Sequence, residues 1–438
     1  MRPVTFSLDH APSPGVTMPF LAAGPCFLVA AGIVLAVQGS TALESRWSPG
    51  ALALTHLLTV GFMLQTMCGA LLQFTPVVAG ARIWRPAWSA RLSQVPMLAG
   101  GVLLPCALGA GAFHLLLPAA VLLATGIGLF LLILLAGLGG SRAGLRTGGT
   151  LWLALMGLAV TAVLGTWLVL SLRGKAALPL LPFTDLHASW GLGGWSLVLL
   201  MSVAGVAVPM LQLTARFPRW LLAACAGAVS AALLAWTLAC IAAGPALAGT
   251  LAMSLVLAAA GVFAIMLLWL MLRSRRPAKD ASALYLRLAM VSILLLGAGS
   301  IALPMLPASL GPATQVALGV LTLVGVFVAA ISGMLYKIVP FMLWLRLSRL
   351  HGPRRTPGTA SIIPQSSARG QFMLFGVAMP ALLAAPFVPA LARPAGVLFA
   401  ASSAWLAFNV GRAIWVHRRA FRPAPPVQRP EASEHGHR

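Results

Sequence analysis

Three histidines lie in long apolar stretches and are the residues best suited to chemistry. His56, His114 and His187 are flanked by Leu, Val, Ala and Gly, whereas the other five histidines lie near the termini or in basic connecting segments. An imidazole inside a bilayer is costly unless it has a partner, and neutral imidazole is a common ligand of heme iron and copper. The competing interpretation is an interfacial histidine bonded to a backbone carbonyl or a lipid headgroup. His56 and His187 leave both interpretations open, while the position of His114 close to a helix end favours the interfacial one.

The pairing of His56 with His187 rests on their spacing to a proline. His56 precedes Pro76 by 20 residues and His187 precedes Pro209 by 22, so the two imidazoles are predicted at nearly the same depth. The corresponding region before Pro340 has no histidine. In all three places a small residue, six others and a proline follow one another: Gly69 to Pro76, Ser202 to Pro209 and Gly333 to Pro340.

Other side chains near these histidines could assist a metal or fill space. Met63 and Met67 follow His56 by seven and eleven residues, which predicts a similar face of an α-helix. Thioether sulfur can be an axial heme ligand or a Cu(I) ligand, but methionine is also a routine packing residue. Trp190 could line a heme pocket, belong to an interfacial aromatic belt, or pack in the core.

Two charged residues near the predicted helix ends could also either assist a bound group or simply face the membrane surface. Asp185 could orient the imidazole of His187 as a hydrogen-bond partner, or be a solvated loop acid. Lys337 could contact a heme propionate or lipid, or extend its ammonium group to the membrane surface. All six acidic residues are predicted in termini or loops. Proton pumping and carboxylate-gated transport are therefore disfavoured.

The composition indicates that the chain is a membrane protein. Of 438 residues, 60% are hydrophobic and 8% are charged, which excludes an ordinary soluble globular protein. Apolar runs of about 20 residues or more predict an all-α polytopic protein of twelve transmembrane helices. The predicted spans are 17–39, 51–78, 94–116, 118–140, 150–172, 187–213, 218–243, 249–272, 284–306, 314–345, 370–391 and 394–416.

The basic residues predict the orientation of these spans. With the N-terminus inside, 24 of the 29 Lys and Arg residues lie on the cytoplasmic side. We therefore expect a protein of the bacterial inner membrane with both termini cytoplasmic: segment 1–16, a single membrane domain over 17–416 and a basic tail over 417–438. The net charge of +23 is then an orientation signal and a contact for anionic lipid, rather than a site for nucleic acid.

The recurring small-residue and proline pattern predicts internal symmetry. Its three copies are four spans apart, which suggests a pseudo-threefold bundle of three four-helix units, about 17–140, 150–272 and 284–416.

The second predicted span also resembles a known family. The stretch Thr55-His-Leu-Leu-Thr-Val-Gly-Phe-Met, followed by Gly69-Ala-Leu-Leu-Gln-Phe-Thr-Pro-Val-Val-Ala-Gly, is similar to the second helix of NnrS-type membrane proteins. It also looks like a distant relative of the heme-copper oxidase subunit I superfamily. That resemblance implies heme b, or alternatively copper, with His56 at the heme-ligand position and His187 on the helix that carries an oxidase copper ligand.

The departures from the superfamily limit what the resemblance implies. The predicted seventh span contains no histidine, so the pair of copper ligands found in the oxidases is missing. The predicted tenth span contains none either, so the paired histidine ligands of both oxidase hemes are also missing. Oxidase-type turnover is therefore not expected, and enzymatic activity stays open. The resemblance implies a role in nitric-oxide or denitrification-linked stress, or in heme or metal handling, with a small gas as a candidate ligand.

Two further interpretations stay open at the level of sequence. Twelve helices with Gly- and Pro-interrupted spans also suit a permease for a small neutral solute. A structural or sensory subunit without a cofactor, held by a partner subunit or by another copy of the chain, is the third.

Overall fold

The computed structural model describes residues 12–140, 149–175, 179–274, 280–352, 356 and 358–420. Most of the predicted N-terminal segment and most of the basic tail lie outside this part of the chain. The described residues form an all-α fold without strands. Twelve long helices follow one another: α1 Pro14–Leu43, α2 Pro49–Ala79, α3 Pro86–Gly109, α4 Phe113–Gly139, α5 Gly149–Leu172, α6 Leu180–Gln212, α7 Arg219–Ile241, α8 Leu247–Leu272, α9 Ala281–Met305, α10 Ala308–Arg349, α11 Gln365–Ala384 and α12 Pro389–Val416.

Eleven of these helices are long and apolar enough to cross a membrane, and α11 is the exception within the described chain. The polytopic all-α prediction is therefore confirmed in its coarse form. The third predicted span, 94–116, is displaced: α3 begins at Pro86 and ends at Gly109, and the chain then turns at Gly111 with φ of 65°. A proline suits a first helical position and a glycine suits a positive φ, which accounts for both ends.

A π-helical segment interrupts each of α2, α6 and α10. The segments are Leu57–Leu64, Trp190–Leu197 and Leu321–Val328, and each has 8 residues. Each begins nineteen residues before the proline of its helix and twelve before the small residue. The composition does not predict these π-helical segments. The pattern of a small residue followed by proline nevertheless occurs in the three helices that contain such a segment, at the same spacing from it in each. Such π-helical irregularities are rare and often occur at functional sites.

α11 has a low hydropathy because it contains several polar residues. One of them, Gln371, forms hydrogen bonds with three neighbouring helices. The Tyr285 hydroxyl on α9 donates to Gln371 Oε1 at 2.7 Å, and the Tyr336 hydroxyl on α10 donates to the same oxygen at 3.1 Å. Gln371 Nε2 donates to Ser402 Oγ on α12 at 2.9 Å, and Asn409 Nδ2 donates to the Tyr336 oxygen at 3.0 Å. All five residues are buried. Satisfied polar networks of this kind hold helices together within a membrane.

Glycines let α5 and α6 approach closely beneath the histidine of α6. A Cβ atom at Gly157 on α5 would overlap the backbone of Gly194 on α6, whereas a Cβ atom at Gly128 on α4 would meet nothing within 4 Å.

We expect Gly157→Ala to lower the free energy of unfolding by about 1–3 kcal/mol, because α5 and α6 must separate to admit the methyl group. Unfolding by titration with SDS, followed by circular dichroism, measures this loss. Gly128→Ala is the matched control and should be neutral or slightly stabilising, since it only improves helix propensity. Equal stability of the two variants would contradict the close α5–α6 contact.

Candidate metal centre

His56 lies at the last residue before the π-helical segment of α2. Its Nδ1 atom is 2.8 Å from the Leu52 carbonyl oxygen, one turn earlier in the same helix. Because a carbonyl oxygen can only accept, Nδ1 carries the proton and donates it. In neutral imidazole this leaves Nε2 with a lone pair, and Nε2 has no hydrogen-bond partner among the described residues. The side chain is half-buried.

His187 lies three residues before the π-helical segment of α6, and a different helix orients its imidazole. Its Nδ1 atom is 3.0 Å from the Thr161 carbonyl oxygen on α5. The Thr161 hydroxyl itself donates to the Gly157 carbonyl within α5 at 2.7 Å, so the threonine backbone is held in a regular helix. His187 therefore has the same protonation pattern as His56, with Nδ1 donating and Nε2 available, and it too is half-buried.

The imidazole of His187 packs directly on a glycine of α5. A Cβ atom built at Gly165 would lie 2.8 Å from His187 Cε1 and 3.3 Å from its Nδ1. Gly165 thus provides the space for the ring beside the Thr161 carbonyl.

The two histidines lie toward the same end of α2 and α6 although 131 positions separate them in sequence, because Arg46, just before α2, binds Asp185, two residues before His187. The sequence left open whether they lie in one site or in two. This shared placement, together with two anchored Nδ1 atoms and two available Nε2 atoms, makes the pair one candidate site.

An ion pair joins the ends of the same two helices. Arg46, just before α2, binds Asp185 on α6 through two contacts, Nη1 to Oδ1 at 2.7 Å and Nη2 to Oδ2 at 3.4 Å. Asp185 was expected in a loop, but α6 begins at Leu180 and so includes it. Its carboxylate therefore serves Arg46, and the partner of the His187 Nδ1 atom is the backbone of Thr161. Both charged side chains are more than a third exposed, at 44% and 37%, so the pair stabilises the fold only weakly.

The remaining predicted site residues lie in different surroundings. His114 is exposed in the 3₁₀ turn that begins α4. Trp190 is buried, and its Nε1 donates to Thr237 Oγ1 on α7 at 2.9 Å, so it packs between helices instead of forming an exposed belt.

Met63 and Met67 are both buried. The expectation that they share a face with His56 assumed continuous α-helical spacing. The π-helical segment Leu57–Leu64 has a wider turn, so that spacing does not carry across it. Met67 lines a separate cavity toward Pro76.

Sequence reasoning missed Thr161, Gly165 and Arg46. The roles of Thr161 and Gly165 depend on how α5 packs against α6, and a backbone carbonyl leaves no mark in the sequence. The sequence offered one signal of the close packing of α5 against α6, which is a glycine in each helix, Gly157 and Gly194.

The residues around the pair set limits on what it can hold. No cluster of three or more His, Cys, Asp or Glu side chains suitable for a metal occurs in the described part of the chain. Two cavities of the structure measure about 150 and 120 Å³, and neither is lined by His56 or His187. Ligand pockets for cofactor-sized molecules are typically about 300–1,000 Å³. Neither of these two cavities alone has the size of such a pocket, and the pair itself offers two imidazole donors.

No protein-family model matches the chain, and no curated protein matches it either.

Proposed function

We propose that His56 and His187 bind a single copper ion through their Nε2 atoms, in an integral membrane protein that handles copper or a small copper ligand. The observation that carries this proposal is the shared arrangement of two imidazoles toward the same end of α2 and α6, each with Nδ1 donating to a backbone carbonyl. Metal-ligating histidines characteristically donate their second ring nitrogen in this way, which fixes the tautomer and the ring orientation.

Copper fits the donor set better than the other cofactor that the sequence suggested. Imidazole binds copper well, and copper has the highest affinity of the divalent first-row metals for such donors. A single ion needs no large cavity, whereas heme b also needs room for its porphyrin ring. Heme b stays a prediction from the sequence, and a Soret band in the optical spectrum of the same samples would favour it.

The residues around the site favour binding over turnover. Copper bound there would supply one-electron redox chemistry and affinity for small ligands such as nitric oxide. The carboxylate of Asp185 is engaged by Arg46, and the Nδ1 protons are engaged by the carbonyls that orient the two imidazoles. These groups are therefore not placed to exchange protons with a ligand. A role in copper or nitric-oxide handling at the inner membrane follows from this proposal and from the resemblance of α2 to NnrS-type proteins.

The finer architecture belongs to the same proposal. Twelve spans, with α11 as the eleventh and both termini cytoplasmic, would form three four-helix units around α2, α6 and α10. The common register of the three π-helical segments supports this arrangement. In that register His56 and His187 differ by two residues, which is about 200° around an α-helix. This offset is compatible with one shared site within the three-unit arrangement.

We expect Gly165→Ala to weaken copper binding about 10-fold, because the new methyl group displaces the His187 ring from the Thr161 carbonyl. Competition with a Cu(II) chelator of known affinity measures the dissociation constant. Gly128→Ala adds the same methyl group in open space and should bind copper as the wild type does. An unchanged affinity in Gly165→Ala would show that the packing of this ring is irrelevant to the site.

A further inference from the structure

A cavity of about 150 Å³ lies among the proline-bearing halves of α2, α6 and α10. Each of these helices contributes several side chains to its wall, with Phe74, Val206 and Ile338 as examples from the three in turn. Neither His56 nor His187 lines it, so the cavity is not part of the candidate metal centre. Protein interiors contain few voids larger than a water molecule, and a cavity of this size is therefore a candidate binding site.

The wall of the cavity presents almost only apolar atoms. Two polar residues, Thr66 and Gln73, contribute to it, but the Thr66 hydroxyl and the Gln73 Oε1 atom are themselves buried. The Thr66 hydroxyl is directed toward α1, where a Cβ atom at Gly24 would overlap it. Neither oxygen atom is therefore open to the cavity for a hydrogen bond with a bound molecule.

The size and the apolar wall limit what this cavity can hold. Water in a protein cavity needs about two to four polar partners, whereas apolar cavities of about 150 Å³ stay dry and accept molecules such as benzene. A hydrated or charged solute would lose its water without gaining a polar partner. A lipid chain is too long for this volume. The cavity is therefore suited to a small uncharged molecule without hydrogen-bonding groups.

The wall of the cavity is also rich in methionine. Four of its lining residues, on all three helices, are Met67, Met210, Met334 and Met342. The whole chain has only 17 methionines among its 438 residues. The flexible thioether side chain adapts to the shape of a bound molecule, and its polarizable sulfur makes favourable contacts with aromatic rings. An aromatic molecule therefore fits this wall better than an aliphatic molecule of similar size.

We propose that this cavity binds a monocyclic arene of about the size of benzene. The ring lies among α2, α6 and α10 and contacts methionine side chains, without a hydrogen bond to the protein. The site does not depend on the copper proposal, because neither histidine and neither of the residues whose carbonyls orient them lines the cavity.

Titration of the wild-type protein in lipid nanodiscs with fluorobenzene, followed by fluorine NMR, tests the site. We expect a bound resonance that differs from that of fluorobenzene in the lipid and that saturates with added fluorobenzene. Ala207 lines the cavity, so Ala207→Phe places a ring there and should weaken the binding at least 10-fold. Ala404→Phe adds the same ring at an exposed position on α12 and should bind as the wild type does.

An enlarged cavity tests the same site without relying on a loss of binding. Ile331 is a buried lining residue, so Ile331→Ala adds space to the cavity. This variant should bind 4-tert-butylfluorobenzene at least 10-fold more tightly than the wild type does, because the bulky substituent then has room. A misfolded protein would not show such a gain.

Two further probes test the chemistry of the wall. 4-Fluorophenol should bind at least 10-fold more weakly than fluorobenzene, because its hydroxyl would be buried without a partner. The double variant Met334→Leu/Met342→Leu should bind fluorobenzene about 3-fold more weakly and fluorocyclohexane unchanged, because leucine fills similar space without the sulfur atom.

The His56→Ala/His187→Ala variant should bind fluorobenzene as the wild type does, so this test is independent of the test for copper. Equal binding by the wild type and Ala207→Phe would show that fluorobenzene only partitions into the lipid, and would overturn the proposal. Binding of 4-fluorophenol as tight as that of fluorobenzene, or an equal loss of both fluorobenzene and fluorocyclohexane in the methionine variant, would overturn the assignment to an arene.

Discussion

Purified His56→Ala and His187→Ala variants should each lose stoichiometric copper, with affinity at least about 100-fold below that of the wild type. Loss of a residue that merely orients a ligand costs about 10–100-fold in metal affinity, so loss of one of two ligands should cost more. Each Nε2 atom supplies half of the protein donor set at the pair. Elemental analysis of copper per chain after loading and dialysis, followed by chelator competition, measures the loss.

His114→Ala is the control for this experiment. His114 also lies in an apolar stretch of the chain, but it is exposed in the 3₁₀ turn that begins α4. Its variant should keep the copper content and affinity of the wild type. If all three variants lost copper equally, binding would reflect nonspecific imidazole chemistry, and the assignment to His56 and His187 would fail.

Lys337→Met should lower the free energy of unfolding by about 3 kcal/mol. Lys337 on α10 forms an ion pair with Asp280, which begins α9, and both side chains are largely buried, at 16% and 8% exposed. Removing one partner of such a pair leaves the other charge buried, which typically costs about 3–5 kcal/mol. The lower value is expected because Asp280 also accepts from the backbone N–H of Ser282 as a helix cap. Titration with SDS, followed by circular dichroism, measures the change.

The double variant Asp280→Asn with Lys337→Met separates the charge effect from packing. Asparagine retains the capping function, and the carboxylate charge is removed together with the ammonium charge, so most of the lost stability should return. The copper content should be unchanged in both variants, because this ion pair lies at the proline-bearing end of α10. A Lys337→Met variant as stable as the wild type would indicate that the ammonium group faces solvent or lipid headgroups instead.

The sequence predicted most of the helical architecture, because membrane insertion depends on apolar length and little else. Ten of the twelve predicted runs coincide with helices to within seven residues at each end, and the third, 94–116, is shifted by the turn at Gly111. The run 370–391 overlaps α11, whose polar face binds Tyr285, Tyr336 and Ser402. Hydropathy cannot distinguish a polar helix buried by its neighbours from a weak span, since that depends on partners distant in sequence.

The candidate site was predictable only in its two principal residues. The spacing to Pro76 and Pro209 singled out His56 and His187, because imidazoles at similar depth are rare in such a chain. The Thr161 carbonyl, the space at Gly165 and the Arg46–Asp185 pair arise from the packing of α5 and α6 and from the start of α6 at Leu180. The π-helical segment after His56 also removed the basis for grouping Met63 and Met67 with it, since a 3.6-residue period does not apply there.

The most direct test of the site is X-ray absorption at the copper edge, combined with elemental analysis, on the copper-loaded protein. We predict about one copper per chain, with scattering from imidazole nitrogen ligands, and loss of both signals in the His56→Ala/His187→Ala double variant. A wild-type protein that retains no more copper than the double variant, or whose copper lacks imidazole ligands, would contradict the account.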